Sequence, residues 1–169
     1  MLLSPFKILP FGKSFDLKNF DCGVAILNDY LIKYASQDLK RYLTAIYVCT
    51  LEGQKDIIGY YTLSSNRIDI SALPENYTKK LPCYPYLPAT LIGRLAIDLK
   101  YQKKKIGEFL LMDALYKSYK SGIAAFAVIV DAKNIEAKNF YKNYGFNEFI
   151  DNSNKLFLPM NKIAKLFLA

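Results

Sequence analysis

TLIGRLAIDLKYQKKKIGEFLL, residues Thr90 to Leu111, passes from an apolar strand-like run through a basic turn into an amphipathic helix, and the fold is decided at that junction. Leu91, Ile92, Leu95, Ile97 and Leu99 supply the bulk of a mostly buried strand, which Asp98 and Lys100 end. Downstream, Ile106, Leu110, Leu111 and Leu115 recur at helical spacing while Lys103, Lys104, Lys105, Glu108 and Asp113 fill the other face. A helix is therefore expected to start near Lys103 or Lys104. A strand that feeds a helix through a short turn leaves the first helical N–H groups aimed at one spot, with the positive end of the helix dipole behind them. Such a spot takes anions, phosphates above all. Gly107, one turn in, would let a ligand or a neighbouring strand approach, and the lysines add charge. Read in isolation, the Gln-Lys-Lys-Lys run is equally a solvated surface turn.

Outward from this junction, the chain alternates between the two periodicities. Phe6 to Leu9 reads as a short edge strand, and Ser14 to Gly23 as a loop leading into a helix from about Val24 to Tyr34, with Ile26, Leu27, Tyr30, Leu31 and Tyr34 as its apolar stripe. Gln37 to Tyr42 reads as a second short helix carrying Lys40 and Arg41. With Lys33 on the helix before it, these basic residues are a candidate RNA-facing patch; each lysine alone is as well explained as a solvated position. Ala45 to Leu51 and Ile57 to Ser64 are strand-like runs joined by a turn containing Gly53, which makes a hairpin. Arg67 to Leu73 extends or follows the second strand. Pro74 to Pro88 is a connection in which Tyr77, Tyr84 and Tyr86 either flank a substrate channel or simply pack.

On the C-terminal side the central helix should reach about Lys120. Ala124 to Val130 is then a buried strand, and a crossover helix of this length permits parallel pairing with the central strand. Asn134 to Asn143 reads as a helix, Phe146 to Ile150 and Lys155 to Leu158 as closing strands, and the final segment as a short helix. The expected architecture is α/β, a mixed sheet flanked by helices.

Composition narrows the function classes. At 169 residues the chain is long enough for one well-packed domain, so residues 1–169 are read as a single domain. Hydrophobic residues make up 52% and charged ones 22%, which excludes a disordered or fibrous class. A formal charge of +8 favours an anionic partner, nucleic acid first. Cys22, Cys49 and Cys83 are widely spaced and histidine is absent, so neither a metal site nor a disulfide framework is expected. The N-terminus, interrupted by prolines and lysines, lacks the core of a signal peptide, and no run is long enough to span a membrane. A cytoplasmic location is the resulting expectation.

Gln102-Lys103-Lys104-Lys105-Ile106-Gly107 resembles the Gln/Arg-x-x-Gly-x-Gly/Ala loop with which GNAT acetyltransferases hold the acetyl-CoA pyrophosphate. Leu91-Ile92-Gly93-Arg94-Leu95-Ala96-Ile97-Asp98 resembles the strand preceding it in a GNAT branch that contains toxins acetylating aminoacyl-tRNA. Phe20-Asp21-Cys22-Gly23 with Leu27-Asn28, Gly59-Tyr60-Tyr61-Thr62-Leu63-Ser64, and Asp131-Ala132 followed by Ala137 and Phe140-Tyr141…Tyr144-Gly145-Phe146 extend the match in order over about residues 15 to 160. One departure stands out. Lys105 replaces the first glycine of the loop, a substitution that suits right-handed backbone and conflicts with a positive φ; retained cofactor binding is expected.

The resemblance implies a GNAT-like sheet whose splayed parallel strands hold acetyl-CoA, touched by Leu95, Ala96 and Ile97, by the loop from Gln102 to Gly107, and by Asn134 and Phe140. It also implies that Tyr141 protonates the departing thiolate, and that a ribbon-helix-helix antitoxin, and frequently a homodimer, accompany the fold. Arg94, a charge amid an apolar strand, must find a partner or reach a cleft. An ion pair with Asp98 or another carboxylate and a place beside RNA phosphate both satisfy that need.

The chemistry favours an α-amine acceptor. Its unperturbed pKa of about 7.7–8.0 leaves a usable neutral fraction near neutrality, whereas a lysine amine near about 10.4 would need a strong base that a histidine-free chain does not visibly offer. Together with this preference, the resemblance implies, as the expected function, an acetyl-CoA-dependent toxin acetylating aminoacyl-tRNA. A GNAT acting on a protein N-terminus or small amine, and a non-catalytic RNA- or antitoxin-binding module, are the alternatives.

Overall fold

The computed structural model describes residues 5–168. In chain order the elements are β1 (Phe6–Pro10), α1 (Ala25–Asp29), a π-helical segment (Tyr30–Tyr34), α2 (Ala35–Lys40), β2 (Ala45–Leu51), β3 (Gly59–Asp69), α3 (Glu75–Thr78), β4 (Tyr86–Ile97), α4 (Ile106–Lys120), β5 (Ala127–Asp131), α5 (Ile135–Asn143), β6 (Asn147–Glu148), β7 (Lys155–Pro159) and α6 (Met160–Phe167). The strands form one seven-stranded mixed sheet in the order β1-β2-β3-β4-β5-β7-β6. Among the described residues no helix is long and apolar enough to cross a membrane. The signal-peptide reading rests partly on residues 1–4, which lie outside the described residues.

The chain falls into two compact units. One takes the residues up to Ser64 together with Gly93–Ala114, the other Ser65–Ile92 together with the residues from Leu115 on. In the first, β1 pairs antiparallel with β2 from Phe6↔Leu51 to Pro10↔Tyr47, and β2 with β3 from Ala45↔Leu63 to Cys49↔Gly59. Leu31, Ala35, Ile46, Val48, Tyr60 and Ala96 are central to its core. The two helices expected between Val24 and Tyr42 are one run instead. Neither glycine nor proline interrupts it, and a π turn, in which Ala35 N–H reaches back to Tyr30 O, carries α1 into α2.

Gly59 shows how tightly this unit closes. A Cβ there would sit 2.9 Å from Ile97 Cδ1 and from Leu110 Cδ1, and 3.1 Å from the Ala96 carbonyl oxygen. The side-chain ends can shift, but the strand carbonyl cannot move far, so Gly59→Ala should lower stability by about 1–3 kcal/mol. Urea unfolding measures this; an unchanged midpoint would contradict it.

In the second unit β4 pairs in parallel with β5 from Ala89↔Ala127 to Ile92↔Val130, as the crossover length predicted. The pairing stops there, although β4 itself continues to Ile97. β7 pairs antiparallel with β5, and β6 with β7. Ala127 to Val130 is buried throughout, matching its unbroken apolar sequence. Ile68, Leu73, Ile129, Phe149 and Phe157 form the core here. Tyr77 belongs to the packing: its ring meets Phe157 edge-on at 5.0 Å, and its hydroxyl accepts from Asn147 Nδ2 at 3.0 Å. Tyr84 and Tyr86 are exposed, and the Arg67 guanidinium lies 3.8 Å from the centre of the Tyr86 ring.

Candidate active site

The basic loop is anchored at both ends. Asp98, buried at the end of β4, caps the short 3-10 turn Leu99–Tyr101 by accepting from Lys100 N–H at 2.9 Å, and its other oxygen accepts from Asp21 N–H at 3.1 Å. Gln102 Nε2 donates to Ile97 O at 2.9 Å and to Cys22 O at 3.0 Å. Gln102 thus ties the loop back to the strand it has just left. Ile106, buried, plugs the other end, while Gln102 to Lys105 stand exposed. Gly107 falls within the first turn of α4, which begins at Ile106 rather than at Lys103 or Lys104.

The later start has a backbone cause. Lys103 and Lys105 both sit at positive φ, 62° and 63°, so the chain cannot be helical before Ile106. Lys105 therefore occupies a left-handed position, the geometry that favours the glycine it replaces. Alternation of left-handed residues turns successive N–H groups to one side, and the N–H groups of the first turn of α4 have no carbonyl within the helix to accept them. With three lysines around it, this run of donors has the chemistry that an anion such as a phosphate accepts. Lys103→Gly and Lys105→Gly should each stabilise the protein by about 0.5–1 kcal/mol, relief of left-handed strain outweighing added unfolded-state entropy. Chemical unfolding would show the gain; a loss of stability would mean that the lysine side chains hold the loop.

The Phe20-Asp21-Cys22-Gly23 motif buttresses the loop. Asp21 Oδ1 accepts from Gly23 N–H at 2.8 Å and Asn28 Nδ2 at 2.9 Å, and Asn28 Oδ1 accepts from Cys22 N–H at 2.9 Å. The Gly23 N–H and the Asn28 amide hold the Asp21 carboxyl below its ordinary range. Gly23 has φ 84°, and a Cβ on it would come within 3.1 Å of Leu99 Cδ2. The residues matched by resemblance are thus a support for the turn after β4, a role that sequence spacing alone does not reveal.

Leu95 and Ile97 are half-buried on one face of β4, while Ala96 lies in the core of the first unit on the other. Any contact Ala96 makes with a cofactor is through its backbone. Arg94, on the Ala96 face, finds its partner in an aromatic ring: its guanidinium lies 3.5 Å from the centre of Tyr30. Tyr30 stacks in turn near Tyr60 at 6.3 Å and donates its hydroxyl to Asp38 Oδ2 at 2.9 Å. Burial and that hydrogen bond push the Tyr30 hydroxyl up to about 12, against the pull of Arg94. Asp98, the expected ion-pair candidate, serves backbone N–H groups instead. Lys33, Lys40 and Arg41 are exposed along the helical run, with Lys33 3.3 Å from Asp29 in an i,i+4 pair.

In the second unit Asn134 is the N-cap of α5, its Oδ1 accepting from Ala137 N–H at 2.8 Å. Tyr141 is buried, its ring edge-on to Phe140 at 5.2 Å and to Phe146 at 5.3 Å. Loss of solvation raises its phenol well above the ordinary value. Phe140, half-buried, also meets Tyr144 edge-on at 5.1 Å. Glu148 accepts from Lys138 at 2.8 Å and Lys142 at 3.2 Å, tying β6 to α5, and both lysines hold its carboxyl below the usual range.

Tyr30 is a residue of this region that the sequence marked only as core. Its spacing on an apolar stripe concealed a role as the platform for Arg94, because the two are far apart in the chain. Tyr61 was likewise hidden in a strand; its hydroxyl donates to Asp113 Oδ2 at 2.5 Å, joining β3 to α4 within the first unit.

Residues 87–164 match the acetyltransferase (GNAT) domain model. The chain is 29% identical over 133 residues to a tRNA-acetylating toxin of Mycobacterium tuberculosis, covering 78% of each protein. Among solved structures, a tyrosine-to-phenylalanine variant of KacT superimposes with a TM-score of 0.91 at 30% identity, over 97% of this chain and 100% of that one. AtaT complexed with acetyl-methionyl-tRNAfMet gives 0.89 at 30% identity, over 96% and 99%. A tyrosine-to-phenylalanine variant of the AtaT toxin bound to the C-terminus of the antitoxin AtaR and acetyl-CoA gives 0.85 at 25% identity, over 98% and 100%. The strand, the pinned loop and the helix it feeds have these counterparts over nearly the whole chain, which belongs to the GNAT acetyltransferase family.

Proposed function

We propose that the protein is a toxin that uses acetyl-CoA to acetylate the α-amine of an aminoacyl-tRNA, removing the nucleophile on which peptide transfer depends. The observation that carries this reading is the lysine-rich, left-handed loop ahead of α4, in a chain so similar to AtaT complexed with acetyl-methionyl-tRNA. Acetyl-CoA, when bound, supplies a thioester carbonyl and a thiolate leaving group. The loop from Gln102 to Gly107 would hold the pyrophosphate through backbone N–H groups and lysine charge. Backbone groups of Leu95, Ala96 and Ile97 would polarise the carbonyl, and Asn134 and Phe140 would flank the cofactor.

Tyr141 would give its proton to the departing sulfur. A phenol raised by burial is a weak acid, but burial raises thiols too, as it pushes Cys49 in this chain up to about 12. A sulfur buried beside the phenol would be raised in the same direction, so burial by itself does not set the two further apart. Arg94, Lys33, Lys40 and Arg41 would meet tRNA phosphate. The partner would be an antitoxin, as AtaT has in AtaR, and it would be of the ribbon-helix-helix type that the family resemblance implies; two copies of the chain would also associate, which sedimentation of the purified chain tests.

Because burial raises Tyr141, the acid stays protonated across the working range, while the acceptor amine loses its proton around pH 7.7–8.0. Initial rates should climb through about pH 8 and hold their plateau to about pH 9.5. A decline over that last interval would show a different acid. The reading as a whole is tested by incubating the protein with labelled acetyl-CoA and either charged or uncharged tRNA. Label on the charged pool alone supports it; label on a small amine or a protein N-terminus instead would reassign the substrate, and no label anywhere would leave a binding module.

A further inference from the structure

α2 ends at Lys40, and the chain leaves it through Arg41 and then Tyr42, whose φ is 58°. Tyr42 N–H donates to Leu39 O at 3.2 Å and Leu43 N–H to Asp38 O at 3.0 Å. These two bonds make the Schellman termination, whose left-handed position is ordinarily glycine or asparagine. A bulky tyrosine is disfavoured there by its Cβ. Packing does not compensate, because Tyr42 is 95% exposed. Around it, Lys40 and Arg41 are exposed and Leu43 is 60% exposed. Neither the backbone nor the core accounts for the aromatic ring at this position.

We propose that Tyr42 is a base-stacking residue for the acceptor substrate, its ring taking an unpaired nucleobase of the tRNA while Lys40 and Arg41 meet the adjoining phosphates. The inference rests on the aminoacyl-tRNA reading above and deepens it. Cations alone bind phosphate without regard to bases. An exposed aromatic face beside them adds a requirement for a base, whatever its identity. The helix terminus, closed by two backbone hydrogen bonds, fixes the Cα–Cβ direction from which the ring projects, so the backbone need not be ordered when a base stacks on it.

The test uses the full chain as wild type, Tyr42→Gly, Tyr42→Phe and Arg41→Gln, measuring affinity for deacylated tRNA and for heparin, a polyanion without bases, beside a thermal melt of each. Glycine suits the left-handed position, so Tyr42→Gly should melt at or above the wild-type temperature while binding tRNA on the order of tenfold more weakly. Its affinity for heparin should be unchanged. Tyr42→Phe, which keeps the ring, should bind tRNA within about twofold of wild type. Arg41→Gln should weaken both ligands. Undiminished tRNA binding by Tyr42→Gly, or a parallel loss of tRNA and heparin, would overturn the role of Tyr42 while leaving the enzyme's substrate class standing. Failure of the wild type to bind tRNA would overturn that substrate class, and the stacking role with it.

Discussion

Tyr141→Phe should lower kcat for acetyl transfer to aminoacyl-tRNA on the order of 100-fold, with KM for both substrates little altered. The ring survives the change, so its edge-on contacts with Phe140 and Phe146 remain and the fold should stand. What is lost is one proton donor in a buried position, where water cannot readily replace it. A 100-fold loss corresponds to about 2.7 kcal/mol of barrier, within the range of a single general acid. Steady-state kinetics with varied acetyl-CoA and varied charged tRNA would decide the matter: a rise in KM at constant kcat would make Tyr141 a packing residue and not an acid.

Gln102→Ala carries the second large effect. Gln102 is a positioning residue, since its amide is spent on Ile97 O and Cys22 O and acts on any ligand through the loop it pins. Losing both bonds should cost about 1–3 kcal/mol of stability. It should also raise KM for acetyl-CoA on the order of tenfold, because a loop no longer held at its first residue must be ordered by the ligand. kcat should change less. Gln102→Glu should be worse than alanine, since a carboxylate would face two carbonyl oxygens with no proton to share. A lower kcat at constant KM would place the glutamine in contact with the reacting atoms and contradict the positioning role.

Much of the sheet was legible because its strands obey simple periodicities. The unbroken apolar run ending at Val130 could only be a buried strand, and Asn134 was a visible helix start whose cap the structure contains. The beginning of α4 was misplaced by two or three residues because lysine carries no left-handed signature, and Lys103 and Lys105 adopt positive φ regardless. The helical run from Ala25 to Lys40 was divided in two because a π turn shifts the apolar stripe without any glycine or proline to mark it.

Side-chain partners were harder to foresee than elements. Arg94 was expected to need a carboxylate or a phosphate, and its guanidinium lies over the face of Tyr30, which periodicity had assigned to the core. Asp98 looked like half of an ion pair, yet it serves the N–H groups of Lys100 and of Asp21, the latter 77 residues away. The basic turn between strand and helix was legible in the residues themselves; only the fold shows that Asp21 and Cys22 hold it in place.

The most direct test of the account is to find which atom receives the acetyl group. Charged tRNA treated with the protein and acetyl-CoA would be digested with nuclease and the 3′-terminal fragment weighed and fragmented by mass spectrometry. The account predicts an adenosine esterified with an N-acetylated amino acid. An acetyl group on a nucleobase or ribose, or a terminal aminoacyl-adenosine that remains unmodified after complete reaction, would contradict it.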